Sequence, residues 1–125
     1  MNFPHELLYS KSHEWVAERD GTARVGITDY AQHELGDIVF VNLPEVGDLA
    51  VKGERIADVE SVKAVSDIFS PLSGTVCEVN GAAADSPETV NSDPYGTWFF
   101  ALDKITGREE LLDAEEYGKY CGKGE

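Results

Sequence analysis

The chain contains few cysteines, few basic residues and no long apolar run, and each shortage removes a class of function. Cys77 and Cys121 are the only two cysteines and form no CxxC pair. A redox or zinc role for them is not supported, and both are expected to be reduced. Cys77 is expected as a small core hydrophobe in a strand, and Cys121 near a frayed end. No stretch approaches the roughly 18 apolar residues of a membrane span. The first eight residues lack the basic start and apolar core of a secretory signal, and the arginines and serines of a transit peptide. A cytoplasmic protein is expected, or a mitochondrial matrix one if a transit peptide has been removed. His5, His13 and His33 have no metal-ligand spacing. Neither a glycine-rich phosphate loop nor a GxSxG elbow is present. Only 10 basic residues oppose 24 acidic ones, for a net charge of −14. Such a surface repels phosphate backbones and anionic membranes and is drawn to basic patches on larger enzymes.

What is present fits one domain over residues 1–125, with 1–6 and 121–125 expected to fray. Hydrophobic residues make up 42% of the 125 positions, enough for a folded core. Ser12–Arg19 and Thr22–Ile27 read as strands around Asp20-Gly21, the dipeptide suited to a two-residue hairpin turn. Ala23, Val25 and Ile27 then share one face. Thr28 or Asp29 is expected to cap a short helix near 29–35, with Gln32 at capping-box spacing and Gly36 at its end. The most apolar strand, Asp37–Leu43, is expected at the centre of the core. Further strands are expected over Thr75–Asn80 and Thr97–Leu102, with 81–96 as loop containing a short helical turn. Trp15, Trp98, Phe99 and Phe100 read as core aromatics. Asp113 and Glu116 have capping-box spacing and open a C-terminal helix carrying Tyr117 and Tyr120. Many short strands separated by turn signals mean a mainly β sandwich or barrel.

The most informative stretch is Val59–Pro71. Apolar and polar residues alternate on both sides of Lys63, with Ala57 and Val59 on one face before it and Val65 and Phe69 on one face after it. Small residues, Ser61 and Ala64, flank the lysine. This reads as two strands joined by a tight turn that holds Lys63 at its tip.

Glu-Ser-Val-Lys-Ala, Ser-Asp and Ser-Pro-Leu-Ser-Gly in this region resemble the glycine cleavage system H protein family. So do YSKSHEWV (9–16), GITDYAQ (26–32), LGDIVFVNLPEVGD (35–48), VNSDPYG (90–96) and LLDAEEY (111–117). The resemblance spans about residues 7–120 and implies a flattened barrel-sandwich hybrid of the lipoyl/biotinyl-carrier type. It implies a non-catalytic carrier with lipoic acid joined to Lys63 through an amide. Such a carrier shuttles an aminomethyl group from a pyridoxal-phosphate glycine decarboxylase to a tetrahydrofolate-dependent aminomethyltransferase. Its electrons pass to dihydrolipoyl dehydrogenase, and a lipoate ligase or lipoyl/octanoyl transferase attaches the cofactor. A monomer is expected. By the same resemblance Ser12, Glu14 and Asp67 line a cleft that accepts hydrogen bonds from the loaded arm's ammonium group.

Two departures touch that cleft. Thr97 leads directly to Trp98, one residue short of the family pattern, and Glu34 stands where some members have histidine, with His33 one position earlier. Alternative readings are an H-like relay that hands lipoyl groups to other proteins, a biotin carrier, and a cofactor-free β-sandwich interaction protein. A biotinyl lysine typically sits between two methionines, and the only methionine here is Met1.

Overall fold

A computed structural model describes residues 1–123. Nine strands occur in it: β1 Leu8–Tyr9, β2 Glu14–Arg19, β3 Thr22–Ile27, β4 Ile38–Asn42, β5 Leu49–Ala50, β6 Arg55–Ser61, β7 Val65–Phe69, β8 Leu72–Val79 and β9 Phe100–Arg108. Four helices accompany them: α1 Asp29–Leu35, α2 Gly81–Asp85, α3 Thr89–Ser92 and α4 Ala114–Lys123. The strands form two antiparallel sheets, one in the order β1-β2-β3-β9-β8-β5 and one in the order β4-β6-β7. The fold is therefore mainly β, with helices only in connections and at the C-terminal end. Among the described residues no helix is long and apolar enough to cross a membrane.

Local chemistry accounts for the turns. Asp20 and Gly21 both have positive φ, 54° and 80°, as the β2–β3 hairpin requires. Thr28 caps α1 by accepting from the Ala31 N–H, while Gln32 donates to Asp29 side chain to side chain. Gly36 ends the helix at φ 77°. At α4 the capping box is reciprocal: Glu116 N–H donates to Asp113, and Asp113 N–H donates to Glu116.

Ala23, Val25 and Ile27 of β3 enter a core that also holds Val59, Ile68, Leu72, Val76, Phe99, Phe100 and Leu102. A second cluster, of Tyr9, Trp15, Leu112, Ala114, Tyr117 and Cys121, lies under α4. Trp15 covers Gly26, its partner across the β2–β3 ladder. A Cβ on Gly26 would meet three Trp15 ring atoms at 2.7 Å. That ring is 2% exposed and donates to the Pro94 carbonyl, so it has no free direction in which to yield. Gly26→Ala is expected to cost about 2 kcal/mol by overpacking, measurable in urea unfolding; an unchanged midpoint would contradict this packing.

Several expectations need correction. β4 is an edge strand, not a central one, and its Val39 and Phe40 are exposed. Phe40 stands opposite Glu60, and Glu60 opposite Val65, so this row lies on the outer face of the small sheet. Val65 and Phe69 do share a face, but Ile68, on the other side of β7, fills the core. Cys77 is half-buried instead of core, and Cys121 is buried on α4. Trp98 is half-buried beneath Arg24, 4.6 Å from the guanidinium carbon to the ring centroid. β9 begins at Phe100 and runs on through Arg108 against β8. Near the N-terminal end, Phe3 packs edge-on against Tyr9 and Tyr117, and the Tyr9 hydroxyl donates to the Pro4 carbonyl. The remainder of the expected C-terminal fraying, residues 124 and 125, lies outside the described residues.

Candidate functional site

Lys63 stands at the tip of the β6–β7 hairpin, as the alternation on either side of it predicts. Ser61 closes the turn. Its backbone N–H donates to the Ala64 carbonyl at 2.7 Å, and its hydroxyl oxygen accepts from the N–H groups of Lys63 and Ala64. The Val62 N–H reaches the Asp37 carbonyl at 3.0 Å, tying the turn to the end of α1. Val62, Lys63 and Ala64 are all exposed. Among the described residues no carboxylate forms an ion pair with the Lys63 amine. Its stem lies over Gly36, where a Cβ would stand 3.8 Å from Lys63 Cε.

The second half of the site lies at the other end of β7. Glu14 is 1% exposed, so the carboxylate is buried. One oxygen, Oε1, accepts from Ser10 Oγ at 2.6 Å and Ser12 Oγ at 2.5 Å, and Oε2 accepts from the Phe69 N–H at 3.3 Å. Burial nevertheless wins over these three donors and raises the Glu14 pKa from 4.5 to about 7. Ser12 is exposed above it and, with Ser10, Lys11, Glu109 and Glu110, lines an open pocket of about 450 Å³. The turn that gathers these groups runs through His13, whose φ is 73°. His13 N–H donates to the Ser10 carbonyl, and Glu14 N–H donates to Ser10 Oγ. A left-handed non-glycine residue costs ~1 kcal/mol or more and is retained where surrounding contacts hold it.

Ser12 and Glu14 are thus brought together as expected, but Asp67 is not joined to them. Asp67 stands opposite Asp58 on the outer face, and its carboxylate accepts from Arg55 Nε at 3.1 Å. Ser10, His13 and the Phe69 N–H complete the Glu14 site and were not anticipated. The alternation Ser10-x-Ser12-x-Glu14 is the one signal that points to Ser10; the Phe69 contact crosses 55 positions and leaves no local trace. Glu34, one of the two departures, exerts a charge effect on His13 that partly offsets the lowering of its pKa by burial. Among the described residues no group of His, Cys, Asp and Glu is arranged to hold a metal ion.

The chain is similar to known proteins over nearly its whole length. The family described as Glycine cleavage H-protein matches residues 7–124. A glycine cleavage system H protein of Lachnoclostridium phytofermentans is 52% identical over 124 residues, 98% of each chain. Its namesake in Psychrobacter cryohalolentis is 55% identical over 120 residues, 93% of this chain and 95% of that one. The crystal structure of a glycine cleavage system H protein from Mycobacterium marinum superposes with a TM-score of 0.88 at 44% identity, covering 98% of both chains. With a hairpin-tip lysine, a two-sheet β fold and full-length similarity of this degree, the chain belongs to the glycine cleavage H-protein family.

Proposed function

We propose that this protein is the lipoyl carrier of a glycine cleavage system, with lipoate joined by an amide to Lys63. The observation that carries the reading is the exposed Lys63, with no ion-pair partner among the described residues, on a turn held by Ser61 and by the Asp37 carbonyl. A ligase must reach the amine itself, and a fixed, projecting turn lets it do so without unfolding the strands. The residues present fit the group: an exposed lysine amine with no ion-pair partner among the described residues can be acylated without stranding a buried ion. When bound, lipoate supplies a dithiol–disulfide couple that accepts an aminomethyl group and two electrons.

The chain's own contribution is tethering and shelter. Ala64 and Phe69 are about 17 Å apart at the usual strand rise, a gap that a lysine stem alone does not span and a long acyl extension is suited to. Ser12, exposed at the far end, offers an oxygen acceptor to a cationic cargo, and the buried Glu14 carboxylate beneath it supplies the negative charge. Asp67, engaged by Arg55, contributes negative charge at the free edge of β7. Tethering raises the cargo's effective concentration at each partner: glycine decarboxylase, the aminomethyltransferase and dihydrolipoyl dehydrogenase. The net charge of −14 favours basic docking sites on them.

The test is enzymatic lipoylation followed by intact mass and peptide mapping. One lipoyl group per chain, on the peptide containing Lys63, supports the proposal. No addition under a competent ligase, or addition on another lysine, overturns it. Exchange of labelled carboxyl carbon with the glycine decarboxylase then separates glycine cleavage from a relay role.

A further inference from the structure

The Tyr117 hydroxyl joins three parts of the chain. It lies 2.7 Å from His13 Nδ1 and 2.7 Å from Thr28 Oγ1. His13 is the left-handed residue that turns Ser10 and Ser12 onto Glu14. Thr28 caps α1, and the far end of α1, at Gly36, meets the stem of Lys63. Tyr117 itself sits on α4, fully buried, with its ring stacked on Tyr9 at 4.7 Å and 7°. One hydroxyl has a single proton and two lone pairs. It satisfies the imidazole nitrogen and the threonine oxygen together while Thr28 still accepts from Ala31. The His13 ring is also packed against Tyr30 and Tyr120, so it has little freedom apart from this bond.

We propose that Tyr117 is a positioning residue for the arm site: its hydroxyl locks the His13 turn, and so the Ser12–Glu14 acceptors, to the helix that borders Lys63. This makes α4 part of the carrier machinery and not only a cover for the second core cluster. The inference rests on the reading of Ser12 and Glu14 as the cargo cleft. If the hydroxyl is removed, the ring packing remains, but nothing fixes the imidazole against Tyr117. The backbone bonds of the turn remain, from the His13 N–H to the Ser10 carbonyl and from the Thr28 N–H to the His13 carbonyl, but the turn loses its side-chain anchor and Ser10 and Ser12 shift on the carboxylate.

The experiment uses full-length Tyr117→Phe, with Val90→Ala, in the other core cluster, as the comparison variant. In the unlipoylated chains, amide chemical shifts of Ser12, His13 and Glu14 and the Glu14 carboxyl titration are followed by NMR. In the lipoylated, loaded chains the rate of cargo loss is measured. Tyr117→Phe is expected to move those three amides and the Glu14 midpoint. It should also speed cargo loss roughly fivefold to tenfold, the factor one lost buried hydrogen bond carries. Val90→Ala should lower the Tm without either effect. Unmoved amides and an unchanged Glu14 midpoint in Tyr117→Phe overturn the proposal, whatever the rate of cargo loss. If the amides move but Glu14→Gln leaves cargo loss unchanged, the positioning of the turn stands and the cleft reading is what fails.

Discussion

Lys63→Arg is expected to abolish lipoylation to the detection limit, and with it all glycine-dependent turnover, while the fold stays intact. Arginine keeps the length and the positive charge of the side chain, so the turn held by Ser61 is not disturbed. Its guanidinium stays protonated and is not acylated as an amine is. Because position 63 is exposed and its amine has no ion-pair partner among the described residues, unfolding free energy should change by no more than about 0.5 kcal/mol. Intact mass after ligase treatment and a urea melt measure the two halves. Residual lipoylation of the variant would mean that another lysine is used and that the hairpin tip is not the anchor.

Glu14→Gln should produce the second large effect, in the dependence of stability on pH. The folded carboxyl has its pKa raised to about 7 by burial, against 4.5 when solvated. Between those values the folded chain retains a proton that the unfolded chain has released. This contribution is fully present below pH 4.5, falls as pH rises and is gone above about pH 7. Its size is ~3 kcal/mol. His13 acts in the opposite sense, because burial lowers its pKa and folding then opposes its protonation. The difference between wild type and Glu14→Gln is therefore the quantity to follow, from pH 4.5 to 8. It should change by about 3 kcal/mol across that window, and a flat difference would contradict the burial argument. At pH 8, where Glu14 is ionised, the glutamine variant should also lose a cationic cargo faster than wild type.

The parts of the fold legible in the sequence are those set by neighbours in the chain. Asp20-Gly21, the Thr28 cap, Gly36 and the Asp113–Glu116 box each act within four residues, and each works in the structure as its chemistry requires. The lysine hairpin is legible for the same reason, since alternation and a small-residue turn are local. The edge position of β4 is not legible in this way: Ile-Val-Phe-Val looks like a buried run, whereas edge position is decided by which strands pair. The second half of β9 leaves little local signal, because Asp103, Lys104, Gly107 and Arg108 carry little strand preference; its pairing with β8 supplies the structure. The β8–β9 register shifts between Ser73 and Thr75, and Lys104, at φ 49°, lies in that irregular stretch.

The site divides in the same way. Lys63 is placed by its own hairpin. Glu14 looks like a solvated strand residue until Ser10, Ser12 and the distant Phe69 N–H are seen to enclose it. Asp67 lies away from the expected cleft because the alternation of β7 puts it on the outer face, where Arg55, twelve positions earlier, donates to its carboxylate. The full network is non-local, and Tyr117, 104 positions from His13, is its most distant member.

The most direct test of the carrier account follows backbone amide shifts in lipoylated protein before and after loading with the aminomethyl cargo. If the arm anchored at Lys63 delivers its cargo to the Glu14 cleft, loading should shift the amides of Ser12, Glu14 and Phe69, and Glu14→Gln should remove those shifts. Perturbations confined to residues 62–64 would mean that the loaded arm stays in solvent, and would contradict the account.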